Sequence, residues 1–121
     1  METYFYICAM ISIEKFKVIF YKDALEFLQR VESKTREKIV YNIDKARYTL
    51  APKLFKKLTG TDIWEFRTLY KGKQYRLLAF WDKDVDVLVI ATHGFVKKTD
   101  KTPIKEVARA KEIMKEYFEQ K

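Results

Sequence analysis

The sequence predicts an α+β domain in which an antiparallel meander packs on helices. Three segments rich in aromatic and branched residues, 63–70, 74–81 and 85–92, follow one another through short turns, which is typical of a meander. Apolar residues recur at helical spacing before these segments, from 24 to 50, and after them, from 104 to 118. The predicted order of elements is β-α-α-β-β-β-α, with the helices on one side of a small sheet.

The elements outside the meander have recognisable boundaries. A first strand is predicted at 16–21, and Asp23 begins the helix that follows it. A second helix begins at Ser33 and ends before Pro52, while Pro103 suits the first turn of the last helix. The outer surface of the helix pair is basic, and it is either simply solvated or a weak auxiliary phosphate contact. Its cations are Lys34, Arg36, Lys38, Lys45 and Arg47.

The composition indicates a single packed domain over residues 1–121 with an acidic partner. The chain is 48% hydrophobic and 16% aromatic, which is too apolar for a disordered chain. Its formal net charge of +8 favours nucleic acid, an acidic protein segment or an anionic membrane surface as the partner. Cys8 is the only cysteine, so an intramolecular disulfide is impossible and a reducing, cytoplasmic location is expected.

The first residues are apolar but do not predict a membrane segment. The run from 4 to 11 is far shorter than the roughly 20 residues that span a bilayer. Glu2 stands where a signal peptide carries a basic residue, and no small-residue cleavage site follows, so neither export nor a membrane partner is expected. Residues 1–13 are interpreted either as a short arm on the domain or as a mis-assigned start, with translation beginning at Met10.

Side-chain alternation places several charged residues on one face of the predicted sheet. Glu65 and Arg67 share a face of the second strand, while Trp64 and Phe66 point the other way. Arg76 is out of phase with the apolar residues of the third strand. If the apolar set packs on the helices, the three charged side chains converge on an open face.

Further basic residues are expected beside this face. His93 is predicted at the end of the fourth strand, where Gly94 allows a sharp turn. Lys97 and Lys98 follow in the loop beyond, and Lys73 is either a solvated turn residue or a further RNA contact. The sequence therefore predicts a cationic, solvent-facing hollow bounded by aromatic residues, which suits an RNA backbone and unstacked bases.

Three motifs carry a resemblance to a known family. They are Ile-Trp-Glu-Phe-Arg at 63–67, Gly-Lys-Gln-Tyr-Arg-Leu-Leu at 72–78 and His-Gly-Phe-Val-Lys-Lys-Thr at 93–99, ahead of Lys-Thr-Pro. With the order of elements, they make the chain similar to the RelE/ParE toxin superfamily, and within it to the phage-derived HigB-like branch. The resemblance implies a RelE-like fold and a type II toxin, an endoribonuclease that cuts mRNA, typically in the ribosomal A site. It also implies neutralisation by a small antitoxin, in this branch often a helix-turn-helix protein.

The same resemblance implies which residues form the site. Arg67 and Arg76 match the strand cations of the family, and the Lys97–Lys98 pair matches the basic residues after the last strand. His93 matches the histidine of this branch. Some relatives have a lysine where Glu65 stands and a tyrosine near the start of the last helix, and this chain has neither. The identity of the general base is therefore open.

The chemistry that suits such a patch is attack of a ribose 2′-hydroxyl on its own 3′-phosphate. Arg67 and Arg76 fit binding of the phosphate oxygens and stabilisation of the charge that develops on them. His93 titrates near neutral pH and fits either acid or base, while Glu65 either orients a neighbour or acts as the base. The Lys97–Lys98 pair fits phosphate binding. No metal or other cofactor is expected, since one histidine and one cysteine cannot build a zinc site.

Each of these assignments has an alternative. Glu65 and Arg67 also fit a plain surface ion pair, and a histidine at a strand end is often structural. For the whole chain, one alternative is a ParE-like topoisomerase poison that acts through protein contacts. The other is an inactive relative that binds RNA or an antitoxin.

Overall fold

A five-stranded sheet and three helices make up the computed structural model, which describes residues 14–121. In chain order the elements are β1 (Lys17–Phe20), α1 (Lys22–Arg30), α2 (Ser33–Thr49), β2 (Phe55–Lys57), β3 (Trp64–Tyr70), β4 (Lys73–Trp81), β5 (Leu88–Lys97) and α3 (Ile104–Glu119). The α+β class and the meander β3-β4-β5 are confirmed. Strand β2 was not predicted, because three residues are too few to show an alternating pattern. The arm or mis-assigned start predicted at 1–13 lies outside the described residues.

The strands lie in the order β1-β5-β4-β3-β2. All neighbouring pairs are antiparallel except β1 and β5, which are parallel because α1 and α2 return the chain to the other side of the meander. Strand β5 begins at Leu88 and runs to Lys97, so it starts later and ends later than predicted. This longer strand decides where His93 lies.

Helices cover both faces of the sheet, so the prediction of helices on one side is wrong. Helices α1 and α2 pack on one face, where Phe27 and Ile39 join a core with Leu77. Helix α3 packs on the other face, where Ala110 joins a second core with Leu78. Strand β4 is buried from residue 75 to residue 80, because its apolar residues occupy both faces. None of the three helices described within residues 14–121 has the length and hydropathy of a membrane span.

Gly94 of β5 lies directly against the Phe27 side chain of α1. A Cβ at this position would lie within 3.0 Å of three ring atoms of Phe27, whose side chain is itself buried. We therefore expect Gly94→Ala to lower the free energy of unfolding by about 1–3 kcal/mol through overpacking, measured by urea denaturation. In the background of Phe27→Leu the same substitution should cost less. An equal loss of unfolding free energy in the wild type and in Phe27→Leu would contradict a close contact between Gly94 and the Phe27 ring.

The buried carboxylate of Asp82, directly after β4, anchors the end of α3 to the sheet. Tyr117 donates its hydroxyl to Oδ2 at 2.5 Å, and Lys121 Nζ donates to Oδ1 and Oδ2 at 2.9 and 2.8 Å. Burial alone would raise the pKa of Asp82. The hydrogen bonds from Lys121, Tyr117 and the backbone N–H of Asp84 outweigh that effect and lower the pKa to about 2.

The depressed pKa of Asp82 makes stability depend on pH in a defined window. Because the unfolded carboxyl has a pKa near 3.8, the unfolded chain binds more protons between about pH 4 and pH 2. The contribution, about 2 kcal/mol, is complete above this window and is lost as the pH falls through it. The stability difference between the wild type and Asp82→Asn should narrow by that amount from about pH 5 to pH 2 in urea titrations. A constant difference would contradict the assignment.

Candidate functional site

The two strand arginines lie opposite each other on one face of the sheet. Arg67 of β3 is the direct cross-strand partner of Arg76 of β4, and Glu65 lies two residues before Arg67 on the same face. Like charges in such a position repel each other, so a counter-charge is needed. Glu65 supplies it: its Oε1 accepts a hydrogen bond from Arg67 Nε at 2.9 Å and lies 3.6 Å from Arg76 Nε. Alternation thus correctly placed these three residues together.

Glu65 is completely buried rather than part of an open face. Its second oxygen, Oε2, accepts a hydrogen bond from the Thr102 hydroxyl at 2.7 Å, in the segment that leads into α3. Both carboxylate oxygens are therefore engaged, and the alternative of a plain surface ion pair is wrong because Glu65 is buried. The geometry suits an orienting role for Glu65 between two guanidinium groups and leaves no free oxygen for a base. Thr102 gave no sequence signal, because its contact joins residues 37 positions apart.

Arg76 is buried but has one donor without a partner. Its Nη1 donates to the backbone oxygen of Tyr75 at 3.1 Å and its Nη2 donates to Gln74 Oε1 at 2.5 Å. Its Nε makes no hydrogen bond within residues 14–121. Burial lowers the pKa of Arg76; Glu65 opposes this shift and Arg67 adds to it, yet a guanidinium stays charged at neutral pH. This nitrogen is shielded from solvent and lies 3.6 Å from Glu65 Oε1, which is an ion-pair contact too long for a hydrogen bond.

His93 does not lie in the predicted hollow. Because β5 continues past it to Lys97, the residue is inside the strand rather than at its end, and its side chain is 1% exposed. Its Nδ1 lies 3.0 Å from Thr92 Oγ1 and its Nε2 lies 3.2 Å from Glu106 Oε1, in the first turn of α3. Burial and Arg109 lower the pKa of His93, and Glu106 opposes them, so the prediction of an accessible imidazole is wrong.

The remaining predicted cations lie around an open pocket of about 700 Å³. Lys97 ends β5 opposite Gln74, and Lys98 and Lys73 flank it as exposed side chains. Burial lowers the pKa of Lys97, and Arg76 lowers it further, with Glu65 opposing. Sequence analysis missed Gln74, although its position two residues before Arg76 puts the two side chains on the same face. The full lining is Gly72, Lys73, Gln74, Val96, Lys97, Lys98, Thr99 and Asp100.

Comparison with known proteins identifies a family and a fold. Residues 26–115 match the family described as Phage derived protein Gp49-like (DUF891). Among solved structures, a double mutant of E. coli toxin RelE in the free state has a TM-score of 0.59 at 20% identity, covering 83% of this chain and 97% of that one. The chain has no significant match among curated proteins.

Two toxin–antitoxin complexes contain a chain of the same fold. The intact E. coli RelBE complex gives a TM-score of 0.51 at 19% identity, over 71% of this chain and 99% of that one. The RelBE2 complex of Mycobacterium tuberculosis gives 0.56 at 16% identity, over 70% of this chain and 100% of that one. At these identities the similarity shows a RelE-like fold, as the motifs predicted.

Proposed function

This chain belongs to the phage-derived Gp49-like family and has a RelE-like fold, and we propose that it is the toxin of a type II toxin–antitoxin pair. In this proposal the toxin acts by cutting mRNA. One observation carries the cleavage proposal: Arg67 and Arg76 are direct cross-strand partners, and the Gln74 side chain joins Arg76 to the basic pocket. A phosphate oxygen is the acceptor that a guanidinium binds best, through two parallel hydrogen bonds. The ribosomal A site is the proposed setting, and a small helix-turn-helix protein is the proposed antitoxin.

In the proposed reaction the 2′-oxygen of a ribose attacks its own 3′-phosphorus. The bond from phosphorus to the 5′-oxygen breaks, so the products are a 2′,3′-cyclic phosphate and a 5′-hydroxyl that takes its proton from water. Arg67 and Arg76 stabilise the negative charge that grows on the phosphate oxygens, and Glu65 holds both guanidinium groups in place. Lys73 and Lys98 bind the neighbouring phosphates.

Lys97 is the proposed proton acceptor for the 2′-hydroxyl. Both oxygens of Glu65 are engaged and His93 is covered by α3, whereas Lys97 borders the pocket with a lowered pKa. His93, by contrast, positions α3 through Glu106. A lysine whose pKa is lowered loses its proton more readily than an ordinary lysine, which favours it as a general base.

The pH dependence of cleavage tests the role of Lys97. Because only the neutral amine accepts a proton, the cleavage rate should rise with pH through the lowered pKa of Lys97 and then level off. Lys97→Arg should lose that rise and about 100-fold or more in rate, since a guanidinium does not deprotonate in this range. Lys98→Arg is the matched control and should keep the profile. If Lys97→Arg keeps the wild-type pH dependence of the cleavage rate, Lys97 is not the general base.

Induction in bacteria, with mapping of transcript ends, tests the function as a whole. The wild type should arrest growth and produce mRNA ends within codons, and Arg67→Gln should relieve both effects. Arg30→Gln, on the exposed end of α1, is the control and should remain toxic. Arrest with intact mRNA and DNA damage would instead indicate a topoisomerase poison. Absence of any growth effect would indicate an inactive binding module.

A further inference from the structure

A second basic pocket of about 480 Å³ lies between α2 and the arginine pair, and both arginines line it. Its polar lining contains five cations and no carboxylate. None of its three lysines takes part in an ion pair within residues 14–121. The full lining is Lys38, Asn42, Lys45, Lys53, Leu54, Arg67, Leu69, Gln74 and Arg76.

The fold holds these lysines at the pocket without neutralising them. Lys38 and Lys45 are seven residues apart on α2, so they share one face and lie about 10 Å apart along the helix axis. Between them, Asn42 Nδ2 donates to Thr68 Oγ1 at 3.2 Å, which fixes this face against β3. Lys53 precedes Leu54, whose backbone oxygen accepts the N–H of Arg67 at 2.8 Å. The helix, the loop and the strand therefore present their charges to a common space.

This pocket and the pocket around Lys97 share one lining residue. Gln74 lines both of them, and Arg76 Nη2 donates to its side-chain oxygen. A basic surface thus extends from Lys98 past the arginine pair to Lys38. A basic surface of this length suits a polyanion that continues beyond the scissile bond, rather than a single small anion.

We propose that the pocket beside α2 is a second phosphate subsite, which binds the backbone of the single-stranded RNA that is cut. The inference rests on the proposed function, since it extends the substrate from one scissile linkage to several nucleotides. The polar lining is mostly cationic, and cations on a nucleic-acid-binding surface contact chiefly phosphate oxygens. Ribosomal RNA offers the same phosphate chemistry, and the experiment below separates the two sources.

Binding of short and long RNA tests the subsite. The combined variant Lys38→Gln, Lys45→Gln and Lys53→Gln is compared with Lys22→Gln, Lys34→Gln and Lys111→Gln, three exposed lysines outside both pockets. The probes are single strands of three and twelve nucleotides with a 2′-deoxy residue at the cleaved linkage. Because neither probe can be cut, binding is measured independently of catalysis.

The pocket variant should bind the twelve-nucleotide strand about tenfold or more weakly, with a salt dependence reduced by about two in log–log slope. Its affinity for the three-nucleotide strand should stay the same, and the control variant should bind both strands as the wild type does. Equal losses for both strands, or an equal loss in the control, would overturn the subsite. Weaker ribosome binding with unchanged binding of the free strand would assign the pocket to ribosomal RNA instead. If the wild type cuts no RNA but the length-dependent loss persists, the cleavage proposal fails while the subsite stands.

Discussion

Arg76→Gln is expected to slow RNA cleavage by about 100- to 1000-fold and to abolish growth arrest. The wild-type side chain places a permanent charge beside the proposed phosphate position. Glutamine keeps part of the chain length but removes that charge and the paired donors. The measurement is the single-turnover rate on a short RNA or on programmed ribosomes. A rate within a few-fold of the wild type would contradict the role of Arg76 in charge stabilisation.

A structural control is needed because Arg76 is buried. Arg36 is suitable, since its side chain also donates to backbone oxygens, those of Leu28, Gln29 and Val31, but lies outside both basic pockets. We expect Arg36→Gln to lower stability while its folded fraction keeps the wild-type cleavage rate. Arg76→Lys keeps the charge without the two parallel donors and should retain an intermediate rate.

Glu65→Ala is expected to lower the free energy of unfolding by about 3–5 kcal/mol. The substitution leaves the buried Arg76 without a counter-charge, directly across from Arg67, and removes the acceptor of the Thr102 hydroxyl. Urea denaturation monitored by tryptophan fluorescence measures the change. Glu37→Ala, on the exposed side of α2, is the control and should change stability by less than about 0.5 kcal/mol. A loss below about 1 kcal/mol for Glu65→Ala would mean that the cluster is not a buried ion-pair network.

Local sequence patterns correctly predicted the meander and the shared face of its charged residues. Alternation along β3 and β4 is a property of neighbouring residues, so Glu65, Arg67 and Arg76 could be placed together without the structure. The position of α3 depends on contacts between distant segments. The apolar pair Leu77 and Leu78, which point to opposite faces, was the available signal that both faces are covered.

The location of His93 could not be predicted, because a glycine in a strand pattern is compatible both with a turn and with a close contact inside the strand. Gly94 suggested a turn, but it lies within β5 and makes room for Phe27. A register shift opposite Leu78 and Ala79 adds Thr92 as an extra residue on β5. Only the pairing of β5 with β4 reveals this bulge, so a sequence pattern could not have shown it.

Glu65 uses both of its carboxylate oxygens in contacts with other residues, and this has an evolutionary consequence. One carboxylate compensates Arg67 and Arg76 and also binds the segment that leads into α3. Loss of Glu65 leaves two arginines facing each other without a counter-charge, whereas loss of either arginine leaves Glu65 paired with the other. Within the family, an acidic residue at position 65 should therefore occur together with cations at both 67 and 76, and co-variation among these columns would mark the lineage that shares this arrangement.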